Sequence, residues 1–392
     1  MNPDQKVIYL DNAATSWPKP DAMLAAMADF SRHVGANPGR SGHRLSAEAA
    51  RVVYGVRERL ARLFNAPDEL RVLLTANVTE ALNLALAGLL RPGMHAITSG
   101  MEHNSAMRPL RALQRAGVEL SVVRCSPAGE LDPADLKRAI KANTRLIALN
   151  HASNVVGTRL PLREAGIIAR EHGVLLLTDC AQTAGAHPLD MRAEQIDLLA
   201  FTGHKGLYGP MGTGGLVLGE RVDIADLHPL KRGGTGSRSE EEEQPDFAPD
   251  KYESGTPNAI GLAGLGASLD WLAEKGVETI QTHERKLAEH LIKSLAEIEG
   301  VRVYGTRDAA KQSPVISFTI DGLDNGRVGQ WLDERYGILC RVGLHCAPAA
   351  HRTLGTFPDG TVRFGLGVFN TAEQVDDALE AVREIAAQRR KK

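Results

Sequence analysis

Asp179 and Lys205 are two charged residues whose surroundings suit chemistry on a bound cofactor. Asp179 ends the apolar run VLLLTD, where its carboxylate is poorly solvated and needs a cationic partner. Lys205 follows the next apolar run, LLAFTGHK, and has glycines close by on both sides. Pyridoxal 5'-phosphate needs a lysine amine at its carbonyl carbon and a carboxylate at its pyridinium nitrogen. The two residues therefore predict half of such a site.

Polar residues also follow the other apolar runs of this region. In a doubly wound sheet the ligand lies beyond the carboxyl ends of the strands, so these residues are expected to meet at one edge. Asn77, Val78, Thr79 and Glu80 open a helix, whose free backbone N–H groups suit a phosphate. The remaining polar residues in such positions are Glu102, His103, Asn104, His151, Asn154, Gln182, Thr202 and His204. Each alone has an ordinary interpretation as a helix cap, turn residue or solvated charge, but together they predict a site for pyridoxal 5'-phosphate.

Cys346 bears on the choice of reaction. It lies in the segment RVGLHCAP, where Arg341 and His345 give an electropositive setting that favours the thiolate. A thiolate there could attack the sulfur of a bound substrate. Two alternatives stay open, a buried packing role and a zinc site, although the spacing fits no structural zinc site well. The zinc alternative would use Cys340, His345, Cys346 and His351.

The composition bounds the class of protein. The 392 residues carry 46 Lys+Arg and 48 Asp+Glu, so the net charge of -2 offers no broad field for nucleic acid or anionic lipid. No apolar run approaches the roughly 20 residues that cross a bilayer, and the first residues show no signal-peptide layout. We therefore expect a cytoplasmic protein with neither nucleic-acid nor membrane partners and no bound metal. The four cysteines are expected to be free thiols, with Cys125 and Cys180 as packing residues.

The elements that position these residues follow from hydrophobic patterning. Residues 70 to 220 alternate short apolar runs with amphipathic stretches, which is typical of a mostly parallel sheet covered on both faces. The predicted strands are Arg71–Thr75, Met94–Ser99, Val118–Val123, Arg145–Asn150, Val174–Asp179, Asp197–Phe201 and Gly214–Leu218. The predicted helices between them include Glu80–Leu90, Ala134–Lys141 and Leu162–Glu171.

The rest of the chain predicts a loop and a smaller unit. Residues 230–257 are rich in Gly, Pro, Ser and charge, which indicates a long loop with a solvated Glu240–Glu243 run. Beyond it we predict helices and strands at Val277–Glu299, Val301–Tyr304, Val315–Ile320, Val328–Tyr336 and Thr371–Ala387. We expect a large α/β domain over 15–270 and a small α+β domain built from 1–14 and 271–392.

Several segments resemble the class V aminotransferase-like enzymes of fold type I, and within them the cysteine desulfurases and selenocysteine lyases. The matching segments are YLDNAATS (9–16), GRSGHRLS (39–46), EHNS (102–105), HASNVVGT (151–158), TDCAQ (178–182), FTGHKGLYGPMGTGG (201–215), YESGTPN (252–258), RVGLHCAP (341–348) and VRFGLGVFNT (362–371). Many relatives have a hydroxyl residue where this chain has Val78, and a His or Ala where it has Asn104. The resemblance implies a large domain with a mostly parallel seven-stranded sheet, a smaller α+β C-terminal domain and a homodimer.

The resemblance also implies a role for each site residue. Lys205 would form the Schiff base with pyridoxal 5'-phosphate, Asp179 would bind the ring nitrogen, Gln182 the phenolic oxygen, and His103 would stack on the ring. The phosphate would be held by Thr79, Thr202 and His204, with Thr256 reaching the phosphate of the neighbouring subunit. Asn154 would bind the cofactor and, with Arg363, the substrate carboxylate. Cys346 would be the sulfur nucleophile, and Lys205 and His103 would move protons.

The resulting expectation is an L-cysteine desulfurase that forms alanine and a persulfide on Cys346. The sequence leaves open the preference for cysteine over selenocysteine. It also leaves open the sulfur acceptor, whether a scaffold for iron–sulfur cluster assembly, a thiolation enzyme or another carrier. Two other interpretations remain: an aminotransferase or epimerase-like enzyme in which Cys346 is incidental, and a sulfur carrier that has kept the fold without catalysis.

Overall fold

The computed structural model describes residues 7–39 and 41–388 and contains both predicted units of secondary structure. The strands are β1 Ile8–Tyr9, β2 Val72–Thr75, β3 His95–Ser99, β4 Glu119–Val123, β5 Thr144–Asn150, β6 Leu175–Asp179, β7 Leu198–Thr202, β8 Gly214–Leu218, β9 Val301–Val303, β10 Val315–Ile320, β11 Ile338–Leu339, β12 Arg341–Gly343 and β13 Thr361–Gly365. The helices are α1 Asp21–Asp29, α2 Arg44–Phe64, α3 Val78–Leu89, α4 Asn104–Arg115, α5 Pro133–Arg138, α6 Leu162–Glu171, α7 Ala259–Lys275, α8 Val277–Ala296, α9 Asn325–Tyr336, α10 Pro348–Leu354 and α11 Ala372–Ala387.

The larger sheet has seven strands in the order β2-β8-β7-β6-β5-β3-β4. All neighbouring pairs are parallel except those that involve β8, which runs against both β7 and β2. The central strands β6 and β7 are buried at every residue, because helices cover both faces of the sheet. Ile147, Leu176 and Leu199 pack on one face and Leu146, Leu175 and Leu198 on the other, which explains the unbroken apolar runs of these strands.

The smaller unit contains an antiparallel sheet in the order β12-β13-β10-β9, with its own apolar core. Ile8 and Leu10 from the start of the chain pack into this core, and β1 pairs in parallel with β11. The domain limits at residues 14 and 270 remain a prediction, and α7 runs across residue 270. Residues 1–6 and 389–392 of the predicted small domain, and Arg40 of the segment 39–46, lie outside the described residues.

The long segment between β8 and α7 is irregular over residues 219–258, as predicted. Glu240–Glu243 are exposed. The end of the segment is fastened to α2, where Arg57 Nη2 lies 2.5 Å from Glu253 Oε2. None of the helices in the described ranges is both long and apolar enough to cross a membrane.

Candidate active site

A cavity of about 320 Å³ lies at the carboxyl ends of the parallel strands. It brings together nine of the predicted site residues: Thr79, His103, Asn154, Asp179, Gln182, Thr202, His204, Lys205 and Arg363. Parallel strands end at the same edge of a sheet, so residues far apart in sequence meet there. His151, in contrast, is buried beside the cavity with Nδ1 3.1 Å from Thr183 Oγ1, and it does not line the cavity wall.

Asp179 ends β6, Lys205 follows the end of the neighbouring strand β7, and both line the same cavity. Asp179 is 7% exposed, and one carboxylate oxygen accepts a 2.9 Å bond from the Ala181 N–H. Burial raises the pKa of Asp179, while the nearby Lys205 cation acts in the opposite direction. Burial lowers the pKa of Lys205 to about 8, against the attraction of Asp179. A lysine with this pKa is partly neutral near physiological pH, as a base or nucleophile must be.

The first turn of α3 forms one end of the cavity. Asn77 caps the helix, because its side-chain oxygen accepts a 3.0 Å bond from the Glu80 N–H. The Val78 side chain is buried in the core below the sheet, so the valine that departs from the family pattern packs inward. The Thr79 hydroxyl lies 2.7 Å from Ser105 Oγ. His204 Nδ1 is buried and has no partner within the described ranges, which leaves a polar atom for a ligand in this part of the cavity.

His103 caps the neighbouring helix α4. Its Nδ1 accepts a 3.0 Å bond from the Ser105 N–H, so in the neutral ring the proton is on Nε2. Burial, aided by the positive charge of Lys205, lowers the pKa of His103 to about 4. His103 is therefore a neutral ring with one N–H donor at physiological pH.

Asn154 and Arg363 join the large sheet to the smaller unit at the cavity wall. Arg363 is 1% exposed, and its Nη1 donates to the Asn154 carbonyl at 2.9 Å while Nη2 lies 2.6 Å from Asp11 Oδ1. A guanidinium has five N–H donors, so these two bonds leave three, including the unpartnered Nε. Asn154 Nδ2 donates to the His345 carbonyl at 2.7 Å, and its Oδ1 has no partner among the described residues.

Cys346 lies in a turn after β12, beside the cavity rather than among its lining residues. His345 and Cys346 both have left-handed backbone, with φ of 48° and 59°. Their carbonyls are held by the Asn154 side chain and by the Asn104 N–H, the latter at 2.9 Å. The Cys346 side chain is exposed, and Arg341 Nη2, from a residue that lines the cavity, lies 3.2 Å from Sγ. The alternative of a buried packing role for Cys346 is therefore wrong.

His345 does not contribute to the electropositive setting that the sequence predicts around Cys346. Its ring is buried, with Nε2 3.0 Å from Thr361 Oγ1. Burial lowers the pKa of His345 to about 2, so the ring is neutral. Of the two residues predicted to bring positive charge to the Cys346 thiol, only Arg341 does so.

The other three cysteines are buried or half-buried. Cys180 lies in the core, and Cys125 packs against it. Burial raises the pKa of Cys125 to about 11 and that of Cys340 to about 12, which keeps both as unreactive thiols. Within residues 7–39 and 41–388 no group of three or more His, Cys, Asp or Glu side chains is arranged to hold a metal ion.

Thr256 lies outside this cavity. It is exposed at the edge of a second cavity of about 590 Å³, where its hydroxyl accepts a 3.3 Å bond from Asn37 Nδ2. The predicted contact of Thr256 with the phosphate of a neighbouring subunit stays a prediction.

Three residues of the site were not predicted: Ser105, Asp11 and Asn150. Ser105 joins Thr79 to His103, whose Nδ1 lies 2.9 Å from Ser105 Oγ. Asp11 pairs with Arg363, and Asn150 lines the cavity at the end of β5. Ser105 and Asp11 lie in segments that carry the family resemblance, but nothing in their spacing indicates what they contact.

The groups around the cavity fit pyridoxal 5'-phosphate. Lys205, Arg341 and Arg363 bring three cations to a wall that has one carboxylate, Asp179, so the cavity suits an anionic ligand. The unpartnered His204 Nδ1 and Arg363 Nε are buried polar atoms that need a partner. A phosphate and an amino-acid carboxylate would supply acceptors for their N–H groups.

The chain belongs to the aminotransferase class-V family, whose profile matches residues 8–378. A probable cysteine desulfurase of Methanothermobacter thermautotrophicus is 36% identical over 384 residues, which cover 97% of this chain and 94% of the relative. A cysteine desulfurase of Escherichia coli O127:H6 is 35% identical over 386 residues, covering 96% and 93%.

Solved structures of cysteine desulfurases also match this chain. The apo structure of a cysteine desulfurase from Thermococcus onnurineus NA1 matches with a TM-score of 0.91 and 33% identity, over 97% of this chain and 95% of that one. The Escherichia coli cysteine desulfurase CsdA, in its S-sulfonic acid form, matches with a TM-score of 0.84 and 31% identity, over 97% and 94%. These matches confirm the predicted family and fold class.

Proposed function

We propose that this protein is a pyridoxal 5'-phosphate-dependent L-cysteine desulfurase, which forms L-alanine and transfers the sulfur as a persulfide on Cys346. The observation that carries the proposal is the exposed Cys346 thiol, bonded to Arg341 beside a cavity that contains Lys205 and Asp179. An aminotransferase or epimerase has no use for an exposed thiol at this place. The relatives described above, which are named cysteine desulfurases, support the same reaction.

The residues present would hold the cofactor at both ends. Asp179 would bind the ring nitrogen, Lys205 the carbonyl carbon, and Gln182 the phenolic oxygen. Thr79, Thr202 and His204 would bind the phosphate at the start of α3, and His103 would stack on the ring. When bound, the cofactor supplies an electron sink for the Cα of an amino acid.

Binding and orientation of L-cysteine fall to Asn154 and Arg363. The three N–H groups of Arg363 that remain free can bind a carboxylate at two points, which fixes the direction of the amino acid. Asp11 and the Asn154 carbonyl hold the guanidinium in place before substrate arrives. The substrate side chain is thereby directed toward the side of the cavity where Cys346 lies.

Proton transfer falls to Lys205 and His103. The Lys205 amine, with its pKa lowered by burial to about 8, can take the Cα proton near neutral pH. His103 carries a proton on Nε2, and its neutral ring can pass one proton at a time within the cavity. Both groups face the same space.

Sulfur transfer falls to Cys346, whose sulfur lies 3.2 Å from Arg341 Nη2. A bond forms between Cys346 Sγ and the sulfur of the substrate as the substrate Cβ–S bond breaks. The electron pair of that bond stays with the carbon fragment, which takes a proton at Cβ, regains one at Cα from Lys205 and leaves as alanine. Cys346 is left as a persulfide, and an acceptor thiol can then remove the outer sulfur.

The proposal also includes the sulfur acceptor, the cellular location and the oligomeric state. The exposed position of Cys346 supports delivery to another protein, such as a scaffold for iron–sulfur cluster assembly. Thiols that must stay reduced support a cytoplasmic location. A homodimer would use Thr256, which is exposed away from the cavity of its own chain, to complete the phosphate site of the other chain.

The test is turnover of L-cysteine by the purified protein loaded with pyridoxal 5'-phosphate, in the presence of a reductant. We expect equal amounts of sulfide and alanine from the wild type, and a loss of more than about a hundredfold in Cys346→Ser, because the hydroxyl cannot form a persulfide. The matched control is Cys340→Ser, which should keep most of the activity. Sulfide formation that survives in Cys346→Ser would refute the assigned nucleophile.

A further inference from the structure

Glu284 is a buried carboxyl group on the apolar face of α8. It is 3% exposed and shares that face with Ile280, Leu287 and Leu291. Its Oε1 lies 3.5 Å from the Tyr208 hydroxyl, which also accepts a 2.8 Å bond from the Val368 N–H. Its Oε2 has no hydrogen-bond partner in the described part of the chain. A buried carboxyl oxygen without a protein partner is costly, so water is the expected partner.

Two small cavities border Glu284 on opposite sides. The inner cavity, of about 30 Å³, is also lined by Lys205, Gln182, Tyr208 and Ala186. A water molecule needs roughly 10–15 Å³ of such space, so the inner cavity can hold one or two. The outer cavity, of about 80 Å³, can hold several and is lined by Glu284 and Ala186 as well.

The two cavities share the lining residues Gln182, Ala186, Glu284 and Pro314, so they adjoin each other. Lys205 lines both the inner cavity and the active-site cavity in front of it. The outer cavity is bordered by Arg159, His187 and the exposed Arg285. Arg159 Nε is buried without a partner among the described residues, which gives water in the outer cavity another group to bind. A row of polar groups thus runs from Lys205 through Glu284 to solvent.

We propose that Glu284 and the water in these two cavities carry protons between Lys205 and the surface beside Arg285. The inference rests on the proposed function, in which Lys205 takes a proton while cofactor and substrate fill the cavity in front of it. Each transfer moves one proton between neighbouring nitrogen and oxygen atoms. The net result is one proton moved between Lys205 and solvent, with no bond to carbon changed.

The charges along the path suit this role. Burial raises the pKa of Glu284 to about 8 and lowers that of Lys205 to about 8, so a proton can pass between them with little free-energy change. Burial also lowers the pKa of His187 to about 4, and it holds the pKa of Tyr208 well above its usual range. Both of these groups stay neutral, and the cations near the path are Lys205, Arg159 and Arg285.

The first measurement is the rate at which the Cα hydrogen of L-alanine is replaced by deuterium from D₂O on the holoenzyme, followed by NMR. Alanine has no sulfur, so this exchange needs Lys205 but not Cys346. We expect about tenfold slower exchange in Glu284→Gln, which keeps the size but loses the ionisable carboxyl, and in Ala186→Val, which fills both cavities. The control Glu278→Gln, an exposed residue of the same helix, should exchange at the wild-type rate.

The second measurement is infrared spectroscopy of the apoprotein, which tests the path without catalysis. We expect the bands of protonated buried carboxyls in the wild type, loss of the Glu284 band in Glu284→Gln with that of Glu102 retained, and a slower deuterium shift of the Glu284 band in Ala186→Val. A purely structural role of Glu284 would lower stability and leave alanine exchange unchanged. Equal exchange rates in all four proteins would overturn the proton path, whereas normal alanine exchange without cysteine turnover would refute the proposed function instead.

Discussion

At the residue scale, Arg341 has two contacts that the neighbouring His345 lacks. Its guanidinium lines the cavity and lies 3.2 Å from the Cys346 sulfur, whereas the His345 ring faces the core. A guanidinium is always charged and stabilises negative charge on the atom it contacts. Arg341 therefore links the anion-binding cavity with the reactive thiol.

We predict that Arg341→Gln slows alkylation of Cys346 by iodoacetamide about fivefold at pH 7, because the sulfur loses the guanidinium N–H that lies 3.2 Å from it. The rate is measured on the apoprotein by mass spectrometry of the peptide that contains Cys346. Arg352→Gln is the control, since Arg352 is exposed on α10 and its guanidinium lies over the Phe357 ring. An unchanged alkylation rate in Arg341→Gln would show that the contact has no effect on the thiol.

At the element scale, two helix N-termini are tied to each other beside the cavity. Asn77 caps α3 and His103 caps α4, and both capping residues line the cavity. The bond between Thr79 and Ser105 links the first turns of the two helices. Any ligand phosphate near α3 would therefore meet backbone N–H groups in a fixed position.

We predict that Asn77→Ala lowers the free energy of unfolding of the apoprotein by about 1 kcal/mol, because the Glu80 N–H loses its cap. Asn77→Asp should keep that stability, since aspartate caps equally well, but it should bind pyridoxal 5'-phosphate more weakly because its charge repels the phosphate. Urea denaturation and a cofactor titration measure the two effects. Equal cofactor affinity in Asn77→Asp and the wild type would place the phosphate elsewhere.

At the scale of the whole molecule, buried carboxyl groups couple stability to pH. Glu102 is 1% exposed behind His103, where its Oε1 accepts a 2.6 Å bond from Ser99 Oγ. Burial raises the pKa of both Glu102 and Glu284 to about 8, from 4.5 for an ordinary glutamate. The folded chain therefore holds two protons that the unfolded chain has lost at pH 7.

We predict that the wild-type apoprotein loses stability as pH rises from 6.5 to 8. A folded pKa above the unfolded one gives stability that is lost as pH approaches the folded pKa, by about 2 kcal/mol per carboxyl over this interval. Glu102→Gln should lose less, because its amide has no proton to give up. Histidines with lowered pKa, such as His103, destabilise the fold only as pH falls below about 6.5.

Urea denaturation of the apoprotein at several pH values measures this difference. Glu289→Gln, which removes an exposed carboxyl of α8, is the control and should keep the wild-type pH dependence. A slope in Glu102→Gln that matches the wild type would mean that Glu102 is ionised in the folded protein.

The hydrophobic pattern correctly predicted the bounds of those helices and strands whose ends coincide with a glycine or a charged residue. The bounds of α6, β8 and β10 agree with prediction at every residue, because their apolar patterns stop at glycine, glutamate or aspartate. Strand β7 was predicted one residue early, since Asp197 turns back to accept a 2.8 Å bond from the Leu176 N–H. The start of α3 was also predicted, because Asn77 is a residue type that commonly caps helices and it does cap this one.

Other parts of the fold and of the site depend on contacts between residues far apart in the chain, which the spacing of residues does not predict. Helices α2 and α7 were not predicted, and they pack against each other across about two hundred residues of chain. Most polar residues of the cavity were predicted because strand ends are visible in sequence, whereas Arg363 was expected only from the family resemblance and Ser105 and Asn150 were not predicted. The pairing of Asp11 with Arg363 and the inward direction of His345 depend on how the two units meet, so only the structure shows them.

The Cys346 side chain, in the left-handed turn at residues 345 and 346, is exposed to solvent. Oxidants can therefore reach its sulfur as easily as a sulfur acceptor can. A thiolate in that position reacts with peroxide to give first a sulfenic and then an irreversible sulfonic acid. If Cys346 carries sulfur as proposed, the exposure that lets an acceptor reach it also exposes it to inactivation by oxidants.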